Sequence, residues 1–124
     1  VSVTWFNGEP KEIVVTITAT NLTINKPGAQ FFETANKVML GYDEDNKTVI
    51  IRPLSKGDVL RGDIPEHKRY NISVNATYGR ITNKAFINRL SSVFNLEFDE
   101  KGIKYKAYWN KSANVLEVRL KEAL

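Results

Sequence analysis

Two stretches of this chain match each other at one constant offset, and that match limits the folds open to it. Tyr42-Asp43 corresponds to Trp109-Asn110, and Val49, Ile51 and Arg52 correspond to Leu116, Val118 and Arg119. Each stretch runs from an aromatic through a polar turn into a β-rich strand ending in Arg. In the first, Val38–Tyr42 and Thr48–Arg52 read as strands about the turn 43–47, because Asp and Asn bond their own backbone and tolerate left-handed conformations. Pro53 closes it. In the second, strands 103–109 and 115–120 flank a turn at 110–114. Before each hairpin lie an Ile (Ile24, Ile81) and a helix-like segment, so the hairpins belong to a larger repeated unit.

The rest of the chain fits that plan. Thr4-Trp5-Phe6 and Lys11–Ala19 read as strands joined through Asn7-Gly8, a hairpin signal loosened by Glu9-Pro10. Ile13–Thr18 is β-branched throughout, which suits a pleated surface. Leu22-Thr23-Ile24 is extended. Asn25-Lys26-Pro27 opens a short helix with Ala29, Phe32 and Ala35 at helical spacing, ended by Asn36-Lys37. In the second half Tyr70–Ala76 alternates with period two and predicts a strand, Tyr78-Gly79 a turn, and Arg80-Ile81 a short extended piece. Thr82 or Asn83 caps a helix whose apolar stripe is Phe86, Leu90, Val93 and Phe94. Residues 54–69, with Gly57, Gly62 and Pro65, read as a linker.

The expected architecture is a β-rich α+β fold in a single domain, 1–124. Two tandem β-α-β-β units, 13–53 and 70–121, would form a small β-barrel-like or two-layer domain. Either unit alone would leave an apolar helix stripe and sheet face uncovered, so the units pack together or the chain pairs as a homodimer.

The 124 residues contain no cysteine, which removes disulfides, thiolate metal sites and cysteine nucleophiles. No apolar run approaches the ~20 residues of a membrane span. The opening residues lack the pattern of a signal peptide, so the expected compartment is the cytoplasm, without a membrane partner. Asn-x-Ser/Thr sequons occur at Asn21, Asn46, Asn71, Asn75 and Asn110. With no export signal beside them, they read as a consequence of Asn, Ser and Thr abundance.

Eighteen Lys and Arg against fourteen Asp and Glu leave a net charge of +4, a modest surplus whose distribution is more informative. From His67 to Leu96 there is no acid, while Lys68, Arg69, Arg80, Lys84 and Arg89 stand among Asn, Ser and Tyr. These residue types donate to phosphate oxygens, and the start of the second helix adds free N–H groups. The competing reading is a solvated basic face, or cations paired with Asp43–Asp45 or Glu97–Glu100. Catalytic signals are weak. His67 is the only histidine and has no partner motif, the 43–46 run lacks the spaced ligands of an EF-hand, and no phosphate loop or nucleophile elbow occurs. The expectation is a non-enzyme that needs no cofactor or metal.

Gly79-Arg80-Ile81-Thr82, followed by a helix and a strand–turn–strand, resembles the swapped-hairpin DNA-binding proteins of the AbrB and MraZ type. That family enters its helix through Gly-Arg-Ile-x-Ile-Pro, and MraZ-type chains carry two such units. Leu22-Thr23-Ile24-Asn25-Lys26-Pro27 occupies the same place in the first half. The resemblance implies a swapped β-barrel dimer that binds DNA through basic residues. Asn83 stands where the family has an apolar residue or Pro, and the first half lacks the Gly-Arg pair. Arg80 and Lys84, with Lys26 and Arg89, are the positions it carries over. The expected function is thus a small DNA-binding, regulator-like protein that neutralises phosphates with Arg80, Lys84, Arg89, Lys68, Arg69 and Lys26. The alternative is a protein-interaction or assembly module that recruits its partner along exposed strand edges.

Overall fold

The computed structural model describes residues 2–5 and 12–124, so the predicted Asn7-Gly8 hairpin lies outside the described residues. The strands are β1 (Ile13–Ile17), β2 (Asn21–Asn25), β3 (Lys37–Asp43), β4 (Thr48–Leu54), β5 (Ser73–Val74), β6 (Tyr78–Thr82), β7 (Ile103–Asn110) and β8 (Val115–Ala123). Helix α1 (Lys26–Ala29) runs into a 3₁₀ turn at Gln30–Phe32. Helix α2 (Lys56–Leu60) and a second 3₁₀ turn (Glu66–Lys68) follow β4, and α3 (Lys84–Phe94) joins β6 to β7.

Among the described residues, eight strands form one antiparallel sheet in the order β3-β4-β8-β7-β1-β2-β6-β5. The sheet curls into a half-barrel until its two margins touch. Val38 of β3 and Tyr70, just upstream of β5, exchange both backbone hydrogen bonds at 2.9 Å. The order interleaves the chain: β1 lies against β7, β2 against β6, and β4 against β8.

Period-two alternation decides which side chains enter the curl. Val15, Ile17, Leu22, Ile24, Val49, Ile51, Ile81, Leu116 and Val118 are fully buried on the inner face, with Tyr105 and Ala107 from β7. Each such aliphatic side chain contributes roughly 1.5–3 kcal/mol by leaving water. Phe32 from the first helical segment, and Ile87 and Leu90 from α3, join the same cluster. The hairpin aromatics pack crosswise. Trp109 of β7 stacks on Phe31 (centroids 4.3 Å apart) and meets Phe32 edge-on, while Tyr42 of β3 meets Phe94 of α3 edge-on at 5.9 Å.

The two closing hairpins turn alike. Asp43 Oδ1 accepts from the backbone N–H of Asp45 and Asn46, and Asn110 Oδ1 from that of Ala113. Each turn ends on a residue of positive φ, Lys47 at 48° and Asn114 at 56°.

Other expectations need correction. The predicted strand over Tyr70–Ala76 shrinks to Ser73–Val74 plus the bridge at Tyr70. Asn75 ends it, because its side-chain oxygen accepts from the backbone of Thr77 and Tyr78 and turns the chain there. Tyr78-Gly79 is therefore the start of β6 and not a turn. The stripe of α3 is also rotated from expectation. Ile87 and Leu90 are the buried pair, and Phe86, Val93 and Phe94 are only partly covered. Within 54–69 a short helix forms, held by a reciprocal Ser55–Asp58 capping box, but it buries no side chain.

Gly102 marks a tight approach. Its φ is +77°, Asp99 Oδ1 accepts from its N–H, and a Cβ there would lie 2.8 Å from the Ile17 carbonyl oxygen. The approach brings the loop after α3 against the end of β1.

Candidate nucleic-acid interface

The acid-free character expected of residues 67–96 extends across space in a way the linear stretch does not show. The five neighbouring strands β7-β1-β2-β6-β5 contain no Asp or Glu, whereas on the other side of the sheet β3 holds Asp43 and β8 holds Glu117 and Glu122. Because inner positions are apolar, the outer positions of those five strands form a polar, cationic sheet face. Register sets one row across it: Ser73 beside Arg80, Arg80 beside Thr23, Thr23 beside Thr16, and Thr16 beside Lys104. Arg80 and Lys104 are exposed. Neither is ion-paired among the described residues. The Arg80 guanidinium lies 4.8 Å from the centre of the Tyr78 ring, which shields one of its faces and leaves its N–H edge to solvent.

Among the described residues, carboxylates stand only at the margin of this face. Glu12 pairs with Lys106 at 3.4 Å, and the hydrogen bond that Lys106 donates to Glu12 raises the Lys106 pKa above its ordinary value. Tyr108 donates to Glu122 at 2.8 Å, and that hydrogen bond raises the tyrosine pKa in turn. Arg119 stacks over Tyr108 and reaches both Glu117 and Glu122, so it is neutralised locally.

The cations singled out in the sequence do not all meet here. Arg80 is on the face. Lys84 opens α3 next to the Thr82 end of β6, and Lys26 opens α1 next to the Asn25–Tyr78 end, so β6 separates them by four residues, about 13 Å. Arg89 is exposed on α3, turned about 140° around the helix from Lys84. Lys68 is exposed in the second 3₁₀ turn. Arg69 lies elsewhere, in a cleft of about 330 Å³ at the margin seam that it shares with Lys37, Glu66, Asn71, Thr82 and Asn83. Asn83 is the α3 cap, its side chain accepting from Phe86 N–H at 3.0 Å.

Three functional candidates were missed in the sequence. Lys104 and Lys106 reach the face because β7 pairs with β1, and Lys37 reaches the cleft because Val38 bridges Tyr70. No local signal announces either pairing. All five sequon asparagines have hydrogen-bonded side chains, at Asn21, Asn46, Asn71, Asn75 and Asn110. The side chain of Asp43 is occupied by its own turn, and the hydrogen bond from the Asn46 side chain leads the effects that hold its pKa below the ordinary 3.8. Among the described residues, no group of three or more His, Asp or Glu side chains is disposed to hold a metal ion, and no helix is long and apolar enough to cross a membrane. Comparison with family models, with curated proteins and with solved structures returns no significant match for this chain.

Proposed function

We propose that this chain is a small DNA-binding, regulator-like protein of the cytoplasm that holds duplex phosphates on the outer face of β7-β1-β2-β6-β5. One observation carries the reading: five adjacent strands without a carboxylate present Arg80 and Lys104 amid Thr, Ser and Asn side chains. Phosphate contacts are made by these residue types, and they set orientation on a duplex without reading its sequence. Lys84, Lys26, Lys68 and Arg89 would extend the positive field around that face.

The same proposal takes the chain as a duplication of one β-α-β-β unit, 13–53 and 70–121 joined by 54–69, akin to the AbrB and MraZ type. The matching turns at Asp43 and Asn110 support it, as does the crosswise packing of Tyr42 on α3 and Trp109 on Phe31–Phe32. A swapped-hairpin dimer pairs strands between chains, whereas the corresponding pairings here join the two halves of one chain. A homodimer would then form by another route. Among the described residues, only Val38 of β3 is bonded beyond β4, leaving the outer edge of Met39–Asp43 open to a second copy.

The test is titration of a labelled duplex at two salt concentrations. Arg80→Glu and Lys104→Glu should each weaken binding and lower the salt slope by about one unit. Absence of binding at low salt, or binding indifferent to salt, removes the reading. The open β3 edge also favours the second reading, a protein-interaction module that adds a partner strand there. Recovery of a stoichiometric protein partner, unaffected by Arg80→Glu but abolished by Leu40→Pro in β3, would select it.

A further inference from the structure

We propose that the seam cleft between the second 3₁₀ turn and the start of α3 is a binding site for the phosphate group of a small polar ligand. Two cations meet there from distant parts of the chain, Lys37 and Arg69, against one carboxylate, Glu66. Neither cation is ion-paired with Glu66 or with any other acid among the described residues. Lys37 Nζ donates to Asn71 Oδ1, which fixes the ammonium at the cleft. Arg69 brings a planar guanidinium to the cleft lining, its Nε buried and, among the described residues, without a hydrogen-bond partner. An oxyanion oxygen is the partner that a guanidinium fork matches best.

The remaining lining sets the ligand's character. Asn71, Thr82 and Asn83 offer amides and a hydroxyl, and Tyr70 is the one aromatic. The volume of about 330 Å³ exceeds what a bare phosphate ion fills and lies at the small end of ligand clefts. A small hydroxylated phosphate ester fits this combination, and so does one phosphate of a nucleic-acid backbone. The backbone bridge between Val38 and Tyr70 stands beside the cleft, so the residues next to it, Lys37 and Arg69, are held in register by two hydrogen bonds.

The experiment is a ¹⁵N-resolved NMR titration of the whole chain with inorganic phosphate at constant ionic strength, with chloride as control. Saturable shifts confined to residues 37–38, 66–71 and 82–84 are expected. Arg69→Gln and Lys37→Gln should each weaken the site at least about tenfold, the loss of one charge-assisted hydrogen bond. A thermal melt confirms that each variant is folded, and either folded variant alone is decisive. Shifts that do not saturate, shifts scattered over all Lys and Arg residues, or saturation unchanged in the folded variants overturn the proposal. Two arms identify the source. If phosphate displaces a bound duplex and Arg69→Gln weakens both ligands, the cleft takes a backbone phosphate. If duplex binding ignores Arg69→Gln, or no duplex binds, while phosphate saturates the cleft, the ligand is a free phosphate ester. Arg80→Glu leaves the phosphate titration unchanged in either case, so failure of the sheet-face reading and failure of this one are separable.

Discussion

Gly102 and Gly62 share a left-handed backbone but not a neighbourhood, and substituting each with Ala separates two kinds of cost. Gly62 has φ +71° and open space where a Cβ would stand, with no atom within 4 Å, so Gly62→Ala carries only the left-handed penalty. That penalty is about 1–2 kcal/mol, and loss of unfolded-chain freedom offsets ~0.4–1 of it. The net is about 1 kcal/mol. Gly102→Ala carries the same penalty and also drives its methyl to 2.8 Å from the Ile17 carbonyl oxygen and 2.9 Å from Thr18 Cγ2. Backbone atoms cannot swing aside, so β1 and β7 must part where Ile17 pairs with Ile103. Overpacking of this kind adds roughly 1–3 kcal/mol, making the total about 2–4. With a urea m-value of about 1.5 kcal/mol/M, the midpoint should fall by ~0.7 M for Gly62→Ala and by ~1.3–2.7 M for Gly102→Ala. Urea denaturation followed by circular dichroism reads both. Equal midpoints for the two variants would refute the close approach between the loop and β1.

Three further outcomes are expected. Phe32→Ala removes a fully buried ring that touches Trp109 and should cost about 3–5 kcal/mol in the same denaturation assay; a loss under ~1 kcal/mol would contradict its core position. Asn83→Ala removes the cap on Phe86 N–H and should cost ~1 kcal/mol, with earlier amide exchange in the first turn of α3, while unchanged exchange there would contradict the cap. Asp58 is held below the ordinary 3.8, first by the backbone N–H of Ser55 and then by its side chain, with Arg61 adding to this. A depressed folded-state pKa means that the stabilisation is present above about pH 3.8 and is lost as pH falls through the folded value. Carboxyl ¹³C titration should give midpoints below 3.8 for Asp58 and Asp43, and ordinary midpoints would remove the capping box and the Asp43 turn from the solution state.

What could be read from the sequence follows the range of the forces involved. The closing hairpins were legible because Asp43 and Asn110 act on backbone atoms two or three residues away. The helix cap was legible to within one residue, Thr82 or Asn83, for the same reason, and Asn83 is the one that caps. The turn at Asn75 was equally local, but alternation through Ala76 masked it, and the strand was drawn too long. The candidate interface was half legible. Arg80 and the missing acids lie in one stretch, yet Lys104 joins the row only through β1–β7 pairing, and Arg69 leaves it for the cleft with Lys37. Such partners are chosen by the whole sheet, and no spacing along the chain encodes them.

The interleaved strand order has a consequence for the chain as it leaves the ribosome. The hairpin of β1 and β2 is made early, but its two flanks are β7 and β6, and β4 waits for β8. Contacts between positions so far apart carry a large loop-closure cost before they repay it, and they slow folding. The first half therefore emerges with its β1–β2 hairpin bare on both sides and its β3–β4 hairpin bare along β4. It acquires its last native neighbours only when β7 and β8 are free of the exit tunnel, which makes nascent-chain time, more than native stability, the interval in which this protein is open to misassociation.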